Sequence, residues 1–574
     1  MEKFKNQFTG ENYLSYRNIL QLKNHYKPKF EEIKRKKYLL IFPKKRKFYF
    51  QYKNISLYKE KNNLIYLKRK MEETMIFLSN IKGYSLDDAQ RKCVLSEEDA
   101  LLVVAGAGSG KSLTIIAKIC YLLEYLGYKE QEILCISFTN ASSKSLEDSI
   151  KNHYGYQIQV LTFHKLALKI LETENFQIAS PSLLEFIIDE FYQGIIFHFS
   201  DILSMTVQYF YPNKIGTEQE YRELLKEKRF VLFQKKIAQF IHLFKANKEE
   251  DNLLYQYLQK VFSKQEYYFL IQVIIIWKLY KIELESSKEI DFDDMILKAI
   301  QFLKTGKRIL PYQYVIIDEY QDSSLLRCKL IQVLLQKTNA KIMAVGDDFQ
   351  SIYRFSGCNL EIFLNFEKYF SHPDILFITN TYRNSQELID IAGKFIMKNK
   401  NQIKKSLYSN KHLEKPIKII YYEKEQEVLE NVLIYLEKKN KKKVLILGRN
   451  RKDIYPFLTP NIQWKENCYY YHDISFLYMT VHQSKGLEEE YVILISLENS
   501  MTGFPNKLEN DSIFRFLDEK KESYAYEEER RLFYVALTRT KNENYLLVPK
   551  KKESIFVKEL IRDFKDKIEF LSIK

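Results

Sequence analysis

Cysteine is scarce in this sequence: six residues in 574, Cys93, Cys120, Cys135, Cys328, Cys358 and Cys468, with no pair at C-x-x-C spacing. That scatter argues against a disulfide framework or a zinc site and fits the reduced thiols of a cytoplasmic protein. Long hydrophobic runs are missing as well. The longest, YYFLIQVIIIW at 267–277, contains Gln272 and is too short to cross a bilayer, so a buried helix is expected there and no membrane partner. The opening residues, MEKFKNQFTG, offer no apolar stretch of the kind a signal peptide requires. Acidic charge is also in deficit, with 74 Asp and Glu against 90 Lys and Arg, a formal net charge of +16. Most of the excess lies in residues 1–75, which hold 20 cations and 7 acids. A basic balance of this kind favours an anionic partner, nucleic acid first among them, although a lysine-rich coding bias produces the same balance.

What is present is globular: 46% hydrophobic and 29% charged residues in a chain too long for one core. Residues 1–75 alternate lysine clusters with aromatic runs such as KFYFQYKNISLY. The period-two pattern predicts small strands or a hairpin, then a helix near KRKMEETMIFLSNI. From Leu101 onward, apolar runs of strand length end in polar residues (ALLVVA, EILCISF, YQIQVLTFH, YVIIDEYQD, AKIMAVGDD) with helical patterns between them, which is the texture of a parallel α/β sheet. A glycine-poor, helix-periodic stretch from about Lys169 to Ile290 reads as a helical insertion. A second α/β series follows Asn380 (PIKIIYY, KKVLILGRN, YVILIS, NYLLVP).

Ala105, Gly106, Ala107, Gly108, Ser109, Gly110, Lys111 and Ser112 spell AGAGSGKS between a strand and a helix. In that setting backbone N–H groups and a helix N-terminus cradle phosphates, Lys111 reaches the β/γ oxygens of ATP, and Ser112 is a ligand for Mg²⁺. VIIDEYQD at 315–322 ends an apolar strand in Asp318, placed for the metal, and Glu319, placed to orient or deprotonate a water. Arg383 and Arg539 belong to the second series. From there they would stabilise charge on a transferring phosphoryl group held between two domains.

Ten motifs in order between about residues 84 and 547 carry a family resemblance: LDDAQR, AGAGSGKS, ISFTNAS, VLTFHKLAL, IDFDDMI, VIIDEYQD, AVGDDFQSIYRFSG, NTYRNSQ, TVHQSKGLEEEYV and EEERRLFYVALTRTK. The chain resembles superfamily 1A DNA helicases of the Rep/UvrD/PcrA type, and within them the helicase IV branch. The resemblance implies an α/β fold of two RecA-like parallel-sheet domains of the P-loop NTPase class. Domain 1A would occupy 81–170 and 290–375, helical domain 1B 171–289, and domain 2A 376–574, behind a small basic N-terminal module at 1–80. It implies an ATP-dependent, 3′→5′ motor on single-stranded DNA and ss/ds junctions, acting in repair or recombination. Gln90 would read adenine and Tyr382 stack on it, Gln350 would sense the γ-phosphate, Arg383 and Arg539 would be paired arginine fingers, and Glu488 would lie near ribose and phosphates. Phe138, Thr139, Asn140, Thr162, His164, Tyr353, Arg354, Phe355 and His482 fall at strand-contacting positions.

The sequence departs from the family in places. Phe355, Ser356 and Gly357 stand where many relatives have Trp-Arg-Gly, and Leu113 stands where some place an arginine. About 30 residues separate Asn450 from Thr480, so domain 2B is expected to be rudimentary or absent, and the 33 residues after Lys541 are too few for a fused nuclease. A protein-displacing translocase, a motor subunit of a phage-defence or mobile-element system, and an inactive nucleic-acid scaffold are the competing readings. A further protein partner is open.

Overall fold

The computed structural model describes residues 2–172, 176–247, 252–306, 308, 310–507, 512–517 and 524–573. Strands β1 (Ala100–Ala105), β2 (Ile133–Ile136) and β3 (Gln159–Leu161) open the first sheet. After an excursion bracketed by β4 (Gln177–Ile178) and β5 (Glu289–Ile290), it is completed by β6 (Tyr314–Ile317), β7 (Lys341–Gly346) and β8 (Asp374–Ile378). The order is β3-β2-β6-β7-β1-β8 and every pairing is parallel. Because side chains alternate along a strand, β1 sends Leu102 and Val104 into one apolar cluster and Leu101 and Val103 into another. Helices Phe292–Thr305 and Leu325–Thr338 cover the first face, and Asp88–Leu95 and Lys111–Glu124 the second. Burial on both faces explains why these strands read as unbroken apolar runs.

The excursion is the expected helical insertion. β4 and β5 pair in parallel and close its neck. Helices from Leu183–Gln193 to Lys264–Ser287 pack around Phe191, Tyr192, Phe233, Phe269 and Trp277. Its core also takes in Ile513 and Phe516 from the short helix Ser512–Phe516. The sequence reading assigned those residues to the second α/β domain, yet they cross to the insertion.

The second sheet contains β9 (Ile417–Tyr422), β10 (Lys443–Gly448), β11 (Gln463–Lys465), β12 (Cys468–Tyr471), β13 (Ile474–Thr480), β14 (Glu489–Leu494), β15 (Thr540–Pro549) and β16 (Ile568–Phe570), in the order β11-β12-β13-β10-β14-β15-β9-β16. It is parallel apart from β11 and β12. Between Asn450 and Thr480 the chain therefore makes a hairpin on the edge of this sheet. Glu466 and Asn467 both take positive φ, at 50° and 61°, the backbone of a tight two-residue turn.

The N-terminal module is helical, which corrects the strand expectation. Helices Tyr16–Arg35, Pro43–Lys53 and Ile55–Glu73 surround Phe4, Ile19, Ile33, Phe48 and Ile55. The aromatic alternation near Phe48 suggests period two, but on helix Pro43–Lys53 the residues that meet the core are Phe48, Tyr49 and Tyr52, spaced one and three apart as on one helix face, and Ile55 joins them from the start of the next helix. Among the described residues no helix is long and apolar enough to cross a membrane.

Candidate nucleotide cleft and strand track

Ala105 ends β1, and the turn to helix Lys111–Glu124 is made by glycines in the left-handed region, Gly108 at φ +69° and Gly110 at φ +77°. These glycines are also demanded by close approach. A Cβ on Gly108 would lie 2.5 Å from Cβ of Arg383, and one on Gly110 would lie 2.6 Å from Nε2 of Gln90. The loop is thus in contact with the second domain. Thr381 Oγ1 donates to the Ala107 carbonyl at 2.7 Å and Tyr382 N–H to the Gly108 carbonyl at 2.9 Å. Ala107 sits in the apolar core of the second domain together with Phe349 and Ile352.

Lys111 Nζ lies 3.6 Å from Glu319. Glu319 takes φ +51°, rare for a residue with a side chain, two residues after the end of β6. Gln321 Nε2 donates to Glu319 Oε2 at 2.5 Å, and Gln321 Oε1 accepts from the Asp347 N–H at 3.0 Å, so a buried amide that is itself held in place fixes the carboxylate. Burial, with the neighbouring Glu319 charge second, raises the Asp318 carboxyl above the usual range. Burial would raise Glu319 too, but the cations of Lys111 and Lys485 outweigh it and hold that carboxyl low. One acid of the pair is thereby kept ionised.

Gln350 stands between the domains. Its Nε2 donates to Asp347 Oδ2 at 2.6 Å, and its Oε1 accepts from Arg539 Nη2 at 3.1 Å. Arg539 is almost fully buried, and its remaining donors reach the carbonyls of Val535 and Leu487. Arg383 donates to Glu488 Oε2 at 2.5 Å and to the Thr538 carbonyl at 3.2 Å, and Lys541 flanks Glu488 at 3.1 Å. Gln90 does not present its amide to solvent. Oε1 closes a capping box with the Asp87 N–H and Nε2 donates to the Ser109 carbonyl at 3.0 Å. Tyr382 is 60% exposed and its hydroxyl donates to Asp87 Oδ2 at 2.9 Å, beside a surface cavity lined by Asp87, Arg91, Leu376, Phe377 and Asn380. Ser112 is exposed on the first helical turn. The residues fit a nucleotide with a divalent cation: the left-handed loop, the ammonium of Lys111, the acids after β6, and a buried Ser109 hydroxyl with no hydrogen-bond partner.

A second cluster begins three residues beyond Gln350. Tyr353 stacks on Phe138 with centroids 5.5 Å apart and planes 14° apart, and its hydroxyl donates to the His482 carbonyl at 3.0 Å. Phe355, 51% exposed, meets His482 edge-on at 5.4 Å. Thr139 and Thr162 cap the helices that carry Asn140 and His164, and His164 contacts Phe292 at 5.1 Å. The Arg354 N–H donates to Glu528 Oε1 at 3.2 Å. The track residues therefore come together in two groups, Phe138 with Tyr353, Phe355 and His482, and His164 with Phe292.

Two lysines escaped the sequence reading. Lys405 Nζ donates to Asp347 Oδ1 at 2.5 Å, Asp348 Oδ1 at 2.7 Å and the Ala105 carbonyl at 3.1 Å. Lys485 Nζ donates to Asp322 Oδ2 at 2.5 Å and the Gln350 carbonyl at 2.7 Å, and lies 5.1 Å from the Tyr353 ring centroid. The only available signal for Lys405 was the need of adjacent Asp347 and Asp348 for a cation.

Comparison with known families matches the UvrD/REP helicase N-terminal domain over residues 86–371 and the UvrD-like helicase C-terminal domain over 465–551. The chain is 27% identical over 521 residues to DNA helicase IV of Escherichia coli, covering 88% of this chain and 75% of that protein. It is 25% identical over 431 residues to the ATP-dependent DNA helicase PcrA of Leuconostoc citreum and 26% over 425 residues to PcrA of Staphylococcus aureus, spanning 50% and 49% of their lengths. The N-terminal match spans the insertion and every strand of the first sheet except β8, and the C-terminal match lies on the second sheet and contains Lys485, Glu488 and Arg539. With Arg383 against the phosphate loop and Arg539 of the C-terminal match on Gln350 of the N-terminal one, the chain belongs to the UvrD/REP family of ATP-driven DNA helicases.

Proposed function

We propose that this chain is a cytoplasmic motor that moves 3′→5′ on single-stranded DNA and opens ss/ds junctions in repair or recombination. The first sheet serves as domain 1A, the helical insertion as 1B and the second sheet as 2A. The observation that carries the reading is the segment from Asp347 to Phe355. Gln350 joins Asp347 to Arg539 at the cleft, while Tyr353 and Phe355 stand in the aromatic track three and five residues later.

Glu319 is the group that orients the attacking water, held ionised by Lys111 and Lys485 and fixed by Gln321. Arg539 and Arg383 stabilise charge on the transferring phosphoryl group, with Arg383 leaving Glu488 to do so. Mg²⁺ would be held by Ser112 and Asp318 and would neutralise phosphate charge. Tyr382 would stack on the adenine. Gln90, engaged with Asp87 and Ser109, would read the base after giving up one of those bonds. Phe138, Tyr353 and Phe355 would exchange bases, each stack being worth about 1–3 kcal/mol, enough to hold a strand and weak enough to release it.

The test is steady-state ATP hydrolysis with and without single-stranded DNA, beside Lys111→Ala. Stimulation by DNA that disappears in the variant is expected. Hydrolysis indifferent to DNA would break the link drawn from Gln350 to Phe355. Unwinding of 3′-tailed against 5′-tailed duplexes then decides the direction.

A further inference from the structure

We infer that the tip of the N-terminal helical module is a second DNA-binding surface, made for the duplex arm of the substrate and separate from the strand track. This rests on the proposed function only in taking DNA as the substrate. Between Glu32 and Glu60 there is no acidic residue, and the two blocks KRKK at 34–37 and KKRK at 44–47 fall in that stretch. Seven of those eight side chains are exposed, the exception being Lys45, which is partly buried with its ammonium 5.2 Å from the Phe42 ring centroid.

The module is rooted at its other end. The Tyr16 and Arg17 N–H groups donate to Glu98 at 2.6 Å and to Asp99 at 2.7 Å, Arg17 Nη1 donates to the Asn339 carbonyl at 2.7 Å, and Lys59 pairs with Glu98 at 2.5 Å. Residues 98–99 directly precede β1 and Asn339 precedes β7, so the root lies at the N-terminal ends of the strands. The nucleotide loop and the aromatic track lie at their C-terminal ends. Helix Tyr16–Arg35 is 20 residues long, and at 1.5 Å per residue it places the first basic block about 30 Å beyond the root. Phe30 stacks on Tyr49 at 5.0 Å and on Tyr52 at 4.3 Å, which fixes the second block beside the first.

At physiological salt the field of exposed charges falls off within about 8 Å, so this tip cannot assist a strand in the track from a distance. It needs an anion of its own. A rim of like charge, in which Lys34 is paired with Glu31 at 3.7 Å, matches the phosphate backbone of a duplex, and exposed Tyr38, Ile41 and Phe42 between the blocks add surface for sugar contacts. A chain engaged on a junction already holds the adjoining duplex at high local concentration, so modest intrinsic affinity suffices.

The experiment uses the full chain with Lys44, Lys45, Arg46 and Lys47 together changed to Gln. Affinity for a 3′-tailed junction and for the tail alone is measured from 50 to 200 mM salt. The log–log salt slope on the junction should fall in magnitude by about 3 to 4, at roughly 0.9 per lost phosphate contact, with the tail-only slope and DNA-stimulated hydrolysis unchanged. A second variant, Arg35→Gln with Lys36→Gln and Lys37→Gln, should give a fall of about 2 to 3 if each cation meets one phosphate. Unchanged junction slopes in both variants would overturn the inference, as would equal falls on junction and tail. Wild-type binding to phosphatidylserine vesicles that the variants lose, without any change on DNA, would overturn it in favour of a lipid surface. Absence of DNA-stimulated hydrolysis in the wild type would count against the proposed function while the slopes still judged the tip.

Discussion

Lys405 lies almost fully buried between Asp347, Asp348 and the end of β1, so its replacement leaves two carboxylates in the interior without a cation. Removing one partner of such a buried group typically costs about 3–5 kcal/mol. Lys405→Met is expected to lower the urea midpoint clearly, while Lys404→Met next to it should leave the midpoint within error. Histidine offers a second test at this scale. Burial, with Arg449 and Lys485 adding to it, holds the His482 ring down to about 4, and burial beside Arg327 does the same for His164. Both rings are neutral at pH 7 and stay so well below pH 6. Affinity for single-stranded DNA should therefore be level between pH 8 and pH 6, and a severalfold rise toward pH 6 would mean that imidazolium contacts a phosphate. The same shift bears on stability. The unfolded chain takes up protons below its ordinary pKa near 6.5 and the folded rings do not, so stability contributed here is present above about 6.5 and is lost as pH falls toward 4.

Elements, more than single residues, decide what the sequence reveals. The phosphate loop was legible because its chemistry is contiguous: strand, glycine turn, Lys111 and helix must follow one another in the chain. The acids after β6 and the arginines Arg383 and Arg539 stand out for the same reason, each at a fixed place in a run of neighbours. Lys405 and Lys485 act across domains and were hidden among 90 cations, with no local spacing to mark them. The N-terminal helices were misread because lysine and aromatic residues in alternation mimic a strand, and only the packing of Phe48 with Phe4 at 5.0 Å reveals which face is inside. The loop itself gives a test at this scale. Gly108→Ala would hold alanine at φ +69°, costing about 1–2 kcal/mol, and would press its Cβ against Arg383. ATP hydrolysis should fall at least tenfold with thermal stability lowered by only a few degrees. An unaffected rate would show that the loop and Arg383 separate before catalysis.

At the scale of the whole molecule, the short helix Ser512–Phe516 ties the second domain to the helical insertion. Arg515 Nη2 donates to Glu266 Oε2 at 2.8 Å, its guanidinium lies 4.6 Å from the Phe262 ring centroid, and Phe516 stacks on Tyr257 at 5.3 Å. Phe516→Ala is expected to release this contact. Amide exchange should then speed up at least tenfold in Ser512–Phe516 and rise only slightly in helix Lys264–Ser287. Equal loss in both would mean that the insertion depends on the contact for its own fold.

That contact also sets an order of events at birth. Arg515 is 249 residues downstream of Glu266. At typical synthesis rates of about 5–20 residues per second, the insertion waits on the ribosome for roughly ten to fifty seconds with the seats of Ile513 and Phe516 open to water. The helices of the insertion can pack on one another in that interval, but this one edge of their core keeps an apolar patch exposed until Ser512–Phe516 has emerged.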